Sequence, residues 1–131
     1  MKRVSFKEAL NVNKVSYISD RVYDDFIKEV KKQSLLSDDL AINKDVSIVY
    51  TPLNGTGLKP VLRALKESGY TNITVVKEQE QPDGYFTTCP YPNPEIKEAM
   101  ELGIAYAKKC NADLLLATDP DCDRVGIAVK N

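Results

Sequence analysis

The stretch that decides the fold is "DLLLATDPDCDRVGIAV", Asp113 to Val129. Its first part, "DLLLAT", is apolar on both faces, as a central strand of a parallel sheet must be. "VGIAV" (Val125 to Val129) reads as another strand. Only Asp119 to Arg124 join the two, which is too short for the crossover that parallel neighbours require. The last strand is therefore expected to run antiparallel to its predecessor. Between them lie three carboxylates on alternate positions, Asp119, Asp121 and Asp123. Like charges so close repel, and burying any of them is costly without a neutralising partner. Something positive is expected there.

Working back toward the N-terminus, helical and strand patterns alternate. Ile96, Ala99, Met100, Gly103, Ile104 and Ala107 form an apolar stripe at helical spacing, with Asn93 as the expected N-cap and Pro94 at the first helical position. "ITVV" (Ile73 to Val76) and "VSIVY" (Val46 to Tyr50) read as strands. Leu58, Val61, Leu62 and Leu65 line one face of a helix between them, with Gly69 expected to stop it. Val22, Phe26, Ile27 and Val30 predict a helix from Ser19 to about Leu35. "SDDLAINKD" reads as a loop. Residues 1–18 are weakly patterned and read as a lead-in from a preceding domain, holding one short turn. The domain proper is expected over 19–131. Alternation of this kind argues for an α/β fold with a largely parallel sheet.

Composition narrows the function classes. With 43% apolar and 28% charged residues in a chain of 131, a single globular domain with its own core is expected. A formal net charge of −1 gives no general attraction for nucleic acid or anionic membranes. No run of about 18 apolar residues suggests a membrane span, and the start lacks the apolar core of a secretory signal. The three cysteines, Cys89, Cys110 and Cys122, form neither a disulfide framework nor a CxxC pair, which suits a reducing cytoplasm. Cys89 and Cys110 read as packing residues and Cys122 as incidental. The chain holds no histidine, which excludes Ser–His and Cys–His nucleophile pairs within it.

Three hard-oxygen carboxylates suit Mg²⁺, Mn²⁺ or Ca²⁺. A lone DxD is more often a polar turn, but DxDxD directly after a buried strand favours a metal. The loop is not an EF-hand, because Arg124 and Lys130 stand where that motif needs Gly and Glu. A haloacid-dehalogenase-type phosphatase is a poor match too, since Arg124 and Val125 follow the aspartates and few residues remain for its further motifs. Arg124 has two readings: an ion pair that relieves the aspartates, or a fork that grips a phosphate. "NGTGLKP" (Asn54 to Pro60) follows a strand and precedes a helix, so its N–H groups could hold an anion, with Asn54 and Gly55 as candidate contacts. Pro60 breaks the dinucleotide fingerprint there; a tight turn is the first reading and the anion contact the second. "YPNPE" (Tyr91 to Glu95), stiffened by Pro90, Pro92 and Pro94, reads first as an extended segment leading into a helix, and second as one wall of a site.

Taken together, "TPLNGTG", "YPNPE" and "ATDPDCDRVGIAV" resemble, in that order, the second domain of the α-D-phosphohexomutases, which include phosphoglucomutases and phosphomannomutases. The resemblance runs from about Tyr17 to the end. It implies a three-layer α/β/α fold around a four-stranded mixed sheet with its last strand antiparallel. It implies Mg²⁺ held by Asp119, Asp121 and Asp123, with Arg124 contacting phosphate or substrate. It further implies exchange of a phosphoryl group between a phosphoserine on another domain and a hexose phosphate through a bisphosphate. The family's Ser-His-Asn-Pro and Gly-Glu-x-Ser-Gly loops are missing, so the chain is expected to be an isolated metal-binding domain, inactive alone. The expected activity of the parent enzyme is that of a phosphoglucomutase; phosphomannomutase, phosphoglucosamine mutase and a non-enzymatic divalent-ion module are the alternatives. Expected partners are the hexose phosphate and the other domains.

Overall fold

The structure, a computed structural model, describes residues 3–35 and 42–130. Residues 37–41 of the expected loop "SDDLAINKD" lie outside the described residues. The chain divides into two compact units, Met1–Gln33 and Ser34–Asn131.

The first unit holds α1 (Phe6–Asn11) and α2 (Asp20–Lys32). The lead-in thus carries a six-residue helix rather than a single turn. The signal for it was present: Ser5 and Glu8 stand at capping-box spacing, and the Ser5 hydroxyl oxygen accepts the Glu8 N–H at 3.2 Å. α2 begins after Ser19 as expected and ends at Lys32, short of Leu35. Asp20 in its first turn and Lys31 and Lys32 in its last complement the helix dipole.

In the second unit the elements are β1 (Ile48–Thr51), α3 (Leu58–Glu67), β2 (Ile73–Val75), α4 (Lys97–Cys110), β3 (Leu114–Thr118) and β4 (Val125–Val129), with a single 3-10 turn over Lys77–Gln79. The sheet order is β2-β1-β3-β4. β1 runs parallel to β2 and β3, and β4 pairs antiparallel with β3, Thr118 opposite Val125 and Leu114 opposite Val129. This is the expected four-stranded mixed sheet with its last strand reversed. α3 ends at Glu67, and Gly69 follows with φ 93°.

Register sorts the strand side chains into two faces. Val49 lies beside Leu115, and Leu115 beside Ala128, so the three share one face. α4 packs across that face on β1 and β3. Val49, Leu115 and Ala117 join Ala99 and Met100 there in the core, with Leu53, Val76, Cys89 and Ala112. Burying a side chain such as Leu115 contributes about 1.5–3 kcal/mol. Tyr50 and Thr118 belong to the opposite face. β4 is an edge strand whose Val125, Ile127 and Val129 are exposed.

Two expectations are corrected. α4 starts at Lys97 with Ile96 as its N-cap, not at Pro94. The Asn93 carboxamide oxygen accepts the Glu95 N–H at 2.9 Å, and the Asn93 carbonyl accepts the Ile96 N–H at 3.1 Å. These bonds close a separate turn ahead of the helix. Cys110 is exposed at the end of α4, while Cys89 is buried as expected.

The parallel strands place the loops after β1, β2 and β3 at one carboxyl edge, where open α/β sheets bind ligands. Because β1 and β3 are neighbours, the loop over residues 52–57 and the loop over 119–124 lie side by side.

Candidate metal centre

Thr118 ends β3, and its pairing with Val125 forces Asp119 to Arg124 into a tight turn. The Cys122 N–H closes it on the Asp119 carbonyl at 3.0 Å. Cys122 adopts φ 65°, a left-handed conformation that costs a non-glycine residue about 1–2 kcal/mol. It is therefore part of what shapes the loop rather than incidental to it. The turn aims the alternate carboxylates to one side. One oxygen from each of Asp119, Asp121 and Asp123 lies within 4.8 Å of the others.

The three aspartates are not equivalent. Asp119 is 1% exposed. Its Oδ1 accepts the Arg124 backbone N–H and its Oδ2 accepts the Arg124 Nε–H, both at 2.9 Å. Burial alone would raise its pKa. The bonds from Arg124 outweigh that and bring it down to about 2. Asp121 and Asp123 are exposed. Asp123 is pushed up from its ordinary value, first by its hydrogen bond with Asp119 and then by the charges of Asp121 and Asp119. Arg124 Nε lies 3.7 Å from Asp123 Oδ1 as well. The Asp119 contact holds the guanidinium firmly charged. The sequence left Arg124 with two readings, and the structure displays the ion pair. Its side chain stays 45% exposed, so it also faces outward.

The donor set fits a hard dication. Three carboxylates converge, one already fixed by two charge-assisted bonds, and no soft donor shares the cluster. Next to it, Pro90–Asn93 face Asp119, Asp121 and Arg124 across an open hollow of about 400 Å³. The proline-stiffened segment is thus a wall of the site, held where Pro94 lies close against Gly126 of β4. Another hollow, of about 370 Å³, lies at the far edge of the sheet between α4 and β3–β4. Its lining is mostly apolar, and it is remote from these carboxylates.

The model of a known family, described as phosphoglucomutase/phosphomannomutase, alpha/beta/alpha domain II, matches residues 24–131. The chain belongs to the phosphoglucomutase/phosphomannomutase family. It is 35% identical over 127 residues to a phosphomannomutase of Mycoplasmoides pirum, covering 97% of this chain and 23% of that protein. It is 40% identical over 121 residues to a phosphoglucomutase of Staphylococcus saprophyticus, covering 92% and 21%. A phosphoribomutase of Saccharomyces cerevisiae is 35% identical over 133 aligned positions, covering 95% and 21%. The chain therefore spans about a fifth of the length of these curated relatives.

In this family member, Asn54 and Gly55 lie in the tight turn of the first reading, and their N–H groups are engaged within the chain. The Asn54 N–H donates to the Gln79 carbonyl at 2.9 Å and the Gly55 N–H to the Pro52 carbonyl at 2.8 Å. The Asn54 side chain donates to the carbonyls of Glu78 and Gln81 and accepts from the Thr88 hydroxyl. Its amide is a brace between the loops after β1 and β2. Leu53 and Asn54 both hold positive φ, 47° and 60°, a strain of about 1–2 kcal/mol each that this buried bonding sustains. Alternating "TG" signals after a strand are shared by anion loops and by braced turns, and only hydrogen-bond partners separate them. Sequence reasoning missed Thr56, whose two bonds to the Pro120 carbonyl join the loops after β1 and β3.

Proposed function

We propose that this chain is the Mg²⁺-holding domain of a phosphohexomutase, most simply one that interconverts glucose 1-phosphate and glucose 6-phosphate. The observation that carries the reading is the convergence of Asp119, Asp121 and Asp123 within 4.8 Å, with Arg124 beside them. Asp119, Asp121 and Asp123 would hold the cation, and a bound dication supplies neutralisation of the charge on a phosphoryl group in transfer. The chain's own residues do the rest. Asp119 is kept ionised by Arg124, so a ligand oxygen stands ready at any pH above about 2. Arg124, half exposed, can turn its remaining N–H groups to a phosphate oxygen. The wall at Pro90–Asn93 bounds one side of the approach to Asp119, Asp121 and Arg124.

Family membership and the relatives' names support the mutase reading, and those names also span mannose and ribose phosphates. That membership supports, as part of this proposal, transfer between a phosphoserine on another domain and the sugar through a bisphosphate. Three protein ligands without a fourth partner imply weak Mg²⁺ binding by this chain alone, since Mg²⁺ gives up its water reluctantly. Free thiols at Cys89, Cys110 and Cys122 accord with a cytoplasmic setting. The test is a mutase assay on the polypeptide that carries these residues together with the rest of the relatives' length. Glucose, mannose, glucosamine and ribose 1-phosphates are compared. Turnover of glucose 1-phosphate with the highest kcat/KM is expected. No mutase turnover with any of them, alongside retained cation binding, would favour a non-enzymatic divalent-ion module.

A further inference from the structure

Hydrogen bonds join the loop over residues 52–57 to the aspartate loop at Pro120. Thr56 donates twice to the Pro120 carbonyl oxygen, from its backbone N–H at 2.8 Å and from its hydroxyl at 3.0 Å. Gly55 lies flat on the same residue. A Cβ on Gly55 would stand 2.5 Å from the Pro120 oxygen and 2.7 Å from its carbonyl carbon. Those are backbone atoms and cannot swing aside as the end of a side chain can. Next along, a Cβ on Gly57 would come within 2.9 Å of Cys122 Sγ and 2.7 Å of the Tyr50 hydroxyl oxygen. The 52–57 loop therefore touches the aspartate loop at Pro120, between Asp119 and Asp121, and again at Cys122, between Asp121 and Asp123.

Both partners are held in strained shapes, with Leu53, Asn54 and Cys122 all left-handed. Each strain persists only where surroundings over-determine it. For Leu53 and Asn54 those surroundings are the buried bonds to Thr51, Gln79, Glu78, Gln81 and Thr88. For Cys122 they are the turn itself and the 55–57 segment pressed against it. A braced loop thus fixes a loop that has few buried bonds of its own.

We propose that Gly55 and Thr56 are positioning residues that set the spacing of the Asp119 and Asp121 carboxylates, and thereby the loop's selectivity for Mg²⁺ over Ca²⁺. This rests on the reading of the three aspartates as a cation site. Mg²⁺ demands near-octahedral geometry at short distances, whereas Ca²⁺ accepts more ligands at longer and looser ones. Loosening the clamp weakens Mg²⁺ binding more than Ca²⁺ binding. Groups that orient metal ligands from behind are worth about 10–100-fold in metal affinity.

The test titrates MgCl₂ and CaCl₂ separately into the 131-residue chain, read from backbone-amide NMR shifts. Gly55→Ala, which must displace Pro120, is expected to weaken Mg²⁺ binding about tenfold and Ca²⁺ binding about threefold or less. Thr56→Val, which removes only the hydroxyl bond, is expected to move the ratio in the same direction by a smaller factor, and Thr56→Ser to restore it. The Thr56 pair keeps the test decisive where Gly55→Ala does not fold. Folded Gly55→Ala and Thr56→Val chains with an unchanged Mg²⁺ to Ca²⁺ ratio overturn the clamp while leaving the aspartate site standing. Cation-induced shifts that are the same in Asp121→Asn as in the wild-type chain overturn the aspartate site, and the clamp with it.

Discussion

Two loops sit side by side at the carboxyl edge of this sheet and use their polar groups in opposite ways. The one after β1 uses the donors of Leu53, Asn54, Gly55 and Thr56 on partners within the chain. Asn54 is 5% exposed, and its N–H, carboxamide and carbonyl all find partners in the chain. The one after β3 buries Asp119 against Arg124 and turns Asp121 and Asp123 out to solvent. Position at a sheet edge therefore marks where a site can be, and hydrogen-bond satisfaction marks which loop still has groups to offer a ligand. An amide N–H that already donates to a carbonyl has no second hydrogen for a ligand, whereas a carboxylate oxygen that accepts one bond keeps a lone pair.

The sharpest way to break that contrast is to remove one outward charge. Asp121→Asn, made in the polypeptide that spans the relatives' full length, is expected to lower kcat at least a hundredfold, equivalent to about 3 kcal/mol of lost transition-state stabilisation. Its melting temperature should stay within about 1 °C, because the side chain is exposed. Turnover near wild type would remove the aspartates from the chemistry. The braced loop should respond the other way. Asn54→Ala is expected to cost about 1–3 kcal/mol of stability, since it leaves buried carbonyls without donors. Urea unfolding of the 131-residue chain measures it, and a variant as stable as wild type would deny the brace.

Arg124→Ala sharpens the comparison within the aspartate loop. Asp119 is held at about 2, below its ordinary 3.8. Its ionised form thus adds stability above pH 3.8, and that increment is lost as the pH falls through 2. Without the guanidinium the Asp119 pKa rises toward its ordinary value, so the loss begins at higher pH and the increment shrinks by about 1 kcal/mol. Acid titration of the unfolding free energy reads this, and identical profiles would deny the Arg124 contact. The smallest effect is expected from inorganic phosphate added to the 131-residue chain. It should leave the amide signals of Asn54 and Gly55 in place. Specific shifts there would return that loop to the role of an anion contact.

How much of this was legible in the sequence follows the same division. The apolar run Leu114–Ala117 and the short link to Val125 dictated a buried strand and an antiparallel neighbour. Asp119, Asp121 and Asp123 were legible because a cluster of like charges after such a strand demands an explanation. The start of α4 was misplaced because Asn93 and Pro94 signal both a helix cap and an isolated turn, and the choice depends on the bond to Glu95. The Thr56–Pro120 contact joins residues 64 positions apart. Nothing local encodes it; it exists because β1 and β3 are neighbours. At Asn54 and Gly55 the choice between a tight turn and an anion contact stayed open for the same reason, since their partners lie on the loop after β2 or in their own turn.

The central claim is that the three aspartates hold a divalent cation, and Mn²⁺ added to the 131-residue chain tests it most directly. Paramagnetic broadening of backbone-amide signals should centre on residues 119–124, reach Thr56 and Gly57, fade on addition of excess Mg²⁺, and vanish in Asp121→Asn. Broadening scattered over the surface, or unchanged in Asp121→Asn, would contradict the claim.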